Sequence, residues 1–82
     1  MTLSEKAAKV KSHADLVKFL GELRKDQAKG KWENGELAQY LSGLEGFAGD
    51  LEGWFANRKE KLPAQPTWSL MAQVLLAASL YE

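Results

Sequence analysis

The 82-residue chain balances 11 basic against 11 acidic residues, contains no cysteine, and is 45% hydrophobic and 27% charged. With no net field to gather phosphate backbones or anionic lipid, neither nucleic acid nor a membrane surface is an expected partner. Disulfides, thiolate nucleophiles and sulfur-ligated zinc are excluded, and the apolar content calls for one small domain with a core, residues 1–82.

The first residues lack a secretory leader, and the most apolar run, Leu70 to Tyr81, is broken by Gln73 and Ser79 and is too short to span a bilayer. The expected location is therefore cytoplasmic. Thr2-Leu3-Ser4-Glu5 has the form of a capping box. Only Leu3, Ala7 and Val10 follow as apolar anchors, so residues 1–11 read as a short helix or frayed arm.

Ser12 is a stronger start, with Asp15 placed at the positive end of a helix. Leu16, Phe19, Leu20 and Leu23 then share one helical face, and Gly30 ends a helix running to about Ala28. His13, the only histidine, lies in the first turn beside Asp15 with no partner for acid–base work, and reads as a solvated surface group.

Asn34 reads as the cap of a second helix of about six turns ending near Asn57, with Leu37, Leu41, Leu44, Ala48, Leu51 and Phe55 as its buried stripe, widened by Tyr40, Phe47 and Trp54 along its edge. Gly43, Gly46, Gly49 and Gly53 fall opposite that stripe. They read as a thinly covered solvent face, the alternative being a groove for close backbone approach. Residues 58–66 form a charged, proline-bearing connection. Thr67 caps a last helix from Trp68 to Tyr81, apolar almost all round and therefore central.

The expected fold is all-α: a compact antiparallel bundle of three main helices with a short N-terminal helix or arm. A chain this short cannot wrap an apolar helix completely, which leaves open a homodimer in which a second copy finishes the cover. Basic residues crowd the first third and acidic ones the middle, at Glu33, Glu36, Glu45, Asp50 and Glu52. Complementary faces packing inside the molecule would account for that asymmetry.

No helical metal motif, calcium loop or phosphate-binding glycine loop occurs, and no convergent acid–base pair is legible. Catalysis, metal and cofactor are accordingly not expected. Of the three tryptophans, Trp54 reads as core, while Trp32 and Trp68 read as covers over neighbouring helix ends or as recognition residues.

Trp32-Glu33-Asn34, followed by Leu37, Tyr40-Leu41 and Leu44, then Pro66-Thr67-Trp68 and the ending Leu75-Leu76-Ala77-Ala78-Ser79-Leu80-Tyr81-Glu82, resembles a family of short bacterial proteins catalogued only as a domain of unknown function. The similarity runs from about Leu16 to Glu82. Asp50 and Asn57 match an aspartate and an asparagine of that pattern, whereas the four glycines do not belong to it. The resemblance implies a helical fold and supplies no reaction.

It also suggests that the Trp-Glu-Asn turn and the Tyr-Glu ending form one cluster in space. That cluster is either a recognition site or a structural knot in which Asn34 caps the second helix and Tyr81 packs on Trp32. The leading functional expectation is a non-enzymatic module that binds another protein, with Trp32, Glu33, Asn34, Tyr40, Trp68, Tyr81 and Glu82 as candidate contacts. The alternative is an immunity-type protein neutralising a cognate toxin.

Overall fold

The computed structural model describes residues 2–81. Its first element, α1 (Leu3–Ala8), is started by the expected capping box. The Thr2 hydroxyl oxygen accepts from the Glu5 amide at 3.1 Å, and the Thr2 amide donates to Glu5 Oε1 at 3.0 Å. A six-residue helix is not stable alone. This one is held because Ala7 and Val10 are buried in the main core and Ser69 Oγ donates to the Ala8 carbonyl at 3.1 Å. The N-terminal segment is thus a packed part of the fold and not a frayed arm; two small anchors suffice because the helix is clamped at both ends.

Helix α2 (His13–Gln27) begins at Ser12, whose Oγ accepts from the Asp15 amide at 3.1 Å. It buries Leu16, Phe19 and Leu23, while Leu20, expected on the same face, lies 39% exposed at its margin. Gly30 supplies the left-handed turn that ends this stretch, at φ 74°.

The expected six-turn helix is two helices, α3 (Leu37–Gly49) and α4 (Leu51–Asn57), broken at Asp50 with φ −97° and ψ 8°. Glycine followed by aspartate is a weak point in any helix, and here the Asp50 carboxylate accepts a bond from the Tyr81 hydroxyl. The cap of α3 is Glu36, not Asn34.

The burial of α3 is shifted to one edge of its hydrophobic pattern. Leu37 and Leu41 are 73% and 53% exposed, and the buried residues are Gly43 and Phe47. Contact through glycine lets two backbones approach more closely than contact through leucine, and the edge that carries Gly43 and Phe47 is the one turned to the end of α5.

Helix α5 (Trp68–Ala77) starts at Thr67, whose Oγ1 accepts from the Leu70 amide at 3.0 Å. It packs against α1, α2 and α3, whereas α2 and α3 do not pack on each other and α4 leans on α3. The architecture is all-helical, as expected, with the last helix central. Helices α1, α2 and α3 are gathered around α5, with the core built from Ala7, Val10, Leu16, Phe19, Leu23 and Ala72. Among the described residues no helix is long and apolar enough to cross a membrane.

Candidate functional site

The Trp-Glu-Asn turn and the end of α5 do meet, through Asn34. This residue is 8% exposed; its side-chain nitrogen donates to the carbonyls of Ala78 at 2.9 Å and Tyr81 at 2.7 Å, and its backbone amide donates to Ser79 at 3.0 Å. The last carbonyls of a helix have no partner within it. Asn34 supplies that partner from 44 residues away in sequence, capping the end of α5 rather than the start of α3.

Gly43 is the seat for this staple. A Cβ there would lie 2.5 Å from the Ala78 oxygen and 2.8 Å from the Tyr81 oxygen. One turn on, the Tyr81 ring covers Gly46, 3.1 Å from where a Cβ would stand, and meets Phe47 edge-on at 5.5 Å between centroids. Tyr81 therefore packs on α3 and not on Trp32. Trp32 instead stacks on Tyr40 at 5.6 Å, with its indole N–H donating to Asp26 at 2.8 Å. The Tyr40 hydroxyl donates to the Leu75 carbonyl, and burial raises its pKa above the ordinary tyrosine value.

Beyond the staple, Tyr81 forms one wall of an open cleft of about 400 Å³ whose other lining residues are Phe47, Gly49, Asp50, Gly53, Trp54 and Asn57. Phe47, Asp50, Trp54 and Asn57 follow one another at the spacing of a single helical face, so the cleft is a face of α3–α4 closed at one side by the end of α5. Trp54, expected in the core, is only partly buried. It meets Phe47 at 6.1 Å and carries the Arg58 guanidinium 4.5 Å above its ring centre.

Of the residues expected to contact a partner, Asn34, Tyr40 and Trp32 are bound into the frame. Tyr81 is both frame and cleft wall. Glu33 is exposed, and Trp68 is 38% exposed with its ring edge against His13 at 5.8 Å. Glu82 lies outside the described residues. The cleft residues Phe47, Trp54 and Asn57 were missed as a site. The available signal was the seven-residue spacing of Asp50 and Asn57, which sets them on one helical face beside Gly46 and Gly53.

A second crevice, of about 280 Å³ and almost wholly apolar, lies between α4 and α5, lined by Leu51, Pro66, Leu70, Met71, Val74 and Leu75. From residue 32 to 57 the chain has five carboxylates and no lysine or arginine. The ion pairs among the described residues are Lys6–Glu22, Lys29–Asp26 and Arg58–Glu60. None joins the basic first third to the acidic middle, so the expected internal matching of complementary faces is not what the fold does.

The family model described as Family of unknown function (DUF7660) matches residues 12–82, from the cap of α2 through the end of α5, leaving α1 outside the match. No curated protein and no solved structure matches the chain. On that match the chain belongs to DUF7660, a family of unknown function.

Proposed function

We propose that this protein is a non-enzymatic module that binds another protein, and that its occupant is a basic amphipathic helix of that partner. The observation that carries this reading is an apolar surface set in unneutralised acid. Leu37 and Leu41 stand exposed on α3 in a segment, residues 32–57, that carries carboxylates and no lysine or arginine, and the apolar crevice of Met71, Val74 and Leu75 lies open on α5. Glu45 continues the Leu37–Leu41 face by one more turn, where it would meet a partner's lysine or arginine. A helix laid in a groove, reading apolar anchors with charges at the rim, is a recurrent mode of recognition.

A second reading, immunity against a toxin, draws support from the same acidic stretch, because a carboxylate-rich face complements an enzyme built to hold phosphate.

The test is calorimetric and NMR titration with a synthetic leucine–lysine amphipathic helix and its leucine–glutamate counterpart. Saturable binding of the basic peptide, with shifts at Leu37, Leu41, Met71 and Val74 that Leu41→Glu removes, supports the module. Equal binding of both peptides, or shifts elsewhere, overturns it. Self-association in sedimentation equilibrium, lost in Leu41→Glu, would replace the partner helix by a second copy.

A further inference from the structure

The geometry points to the cleft of Phe47, Asp50, Trp54, Asn57 and Tyr81 as a receptor for a single organic cation, an ammonium or guanidinium group. This rests on the interaction-module reading only for where the cation comes from; the cleft itself stands on its own observations.

Three aromatic rings surround the space, and they are not stacked. Phe47 lies at 66° to Trp54 and at 79° to Tyr81, so the ring planes turn in different directions around one volume. Aromatic faces carry negative charge density, and rings arranged as walls are the arrangement that holds alkylammonium groups. An exposed carboxylate, Asp50, completes the lining, and none of the described ion pairs uses it. An anion is disfavoured there, and a neutral apolar group gains nothing from the carboxylate.

Two further features fit. Gly49 and Gly53 line the cleft, and a Cβ at either would meet nothing within 4 Å, so α3–α4 leaves the space unfilled. The protein also places a cation on this indole: Arg58 sits 4.5 Å from the Trp54 ring centre, in the neighbouring crevice shared with Glu60, while the cleft is lined by Trp54 without Arg58. The Asn57 side chain adds a hydrogen-bond acceptor for an N–H of the guest.

The experiment is NMR titration of the full ¹⁵N-labelled chain with the N-acetyl methylamides of lysine, trimethyl-lysine and arginine, with tetramethylammonium, and with the norleucine methylamide as neutral control. Cations are expected to shift the amides of Phe47, Asp50 and Trp54 and the Trp54 indole saturably, with midpoints of about millimolar and no response to norleucine. Asp50→Asn keeps an acceptor for the Tyr81 hydroxyl and removes the charge; it should weaken binding by about fivefold or more with the remaining spectrum unchanged.

Preference for the amino-acid probes assigns the cation to a partner's side chain, and preference for tetramethylammonium to a free amine. Equal response to norleucine, no response to any cation, or unchanged binding in Asp50→Asn overturns the proposal. The peptide titration on Leu41 and Met71 is read at other residues, so either site fails without the other.

Discussion

The side-chain amide of Asn34 and the missing side chain of Gly43 occupy the same space: a Cβ on Gly43 would stand 2.7 Å from Asn34 Nδ2. Two backbones and a buried amide meet there, and none is the flexible end of a side chain. Gly43→Ala is therefore expected to destabilise the protein by about 2–3 kcal/mol, in the range for overpacking a rigid site. Gly21→Ala, inside α2 with nothing within 4 Å of the added methyl, should instead gain up to about 1 kcal/mol. Urea denaturation of both variants checks the pair.

Removing the staple leaves carbonyls unpaired. Asn34→Ala should cost about 2–3 kcal/mol, the range for orphaning buried polar groups. Asn34→Asp should be at least as damaging, because a carboxylate would face the Ala78 and Tyr81 oxygens in place of a donor. Amide exchange in the Ala78–Tyr81 turn should accelerate in both, ahead of exchange in α2.

The shift of burial toward one edge of α3 predicts an unusual contrast in the same helix. Leu41→Gln should change stability by no more than about 0.5 kcal/mol, as exposed substitutions do. Phe47→Ala, which empties a buried ring position beside Tyr81, should cost about 3–5 kcal/mol. Equal losses at the two positions in thermal or chemical unfolding would restore the leucine stripe as the buried face.

Tyr40 gives a pH dependence with a definite sign. Burial raises its folded-state pKa above the ordinary value of about 10, so its neutral form is favoured by folding. That contribution is complete below the unfolded value and is lost as pH rises through the folded one. Stability measured against pH should fall faster on the alkaline side in the wild type than in Tyr40→Phe.

At the other end of the scale, Glu5 is held below its ordinary value, first by the Thr2 backbone amide and then by the Thr2 hydroxyl. A depressed carboxylate contributes above its unfolded pKa and stops contributing as pH falls through the folded one. The helical chemical shifts of Leu3–Ala8 should decline on acidification, and Glu5→Gln should remove that decline.

Local chemistry was legible where one residue does one thing. The caps at Thr2, Ser12 and Thr67 and the stop at Gly30 stand where their side chains or φ preferences place them. The interior of α3 was not legible, because a hydrophobic stripe measures what burial could stabilise, whereas the fold chose the face that lets backbone meet backbone at Gly43. Asn34 was singled out and given the wrong helix to cap; its partners are carbonyls 44 and 47 residues later, a relation no local pattern encodes. The convergence of Tyr81 with Asp50 was equally non-local, and nothing in the sequence set those residues side by side. Position 7, a single alanine, became a core residue because α5 came to lie across it.

The separation of α2 from α3 has an electrical consequence. Residues 1–31 hold eight basic and four acidic side chains and residues 32–57 five acidic and no basic ones; α2 and α3, which carry part of that charge, pack on α5 and not on each other. A chain of formal charge zero thus still offers a predominantly basic and a predominantly acidic stretch to a molecule that comes within about 10 Å, the screening distance at 0.1 M salt. The speed of its encounters should therefore depend on ionic strength although its formal charges sum to zero.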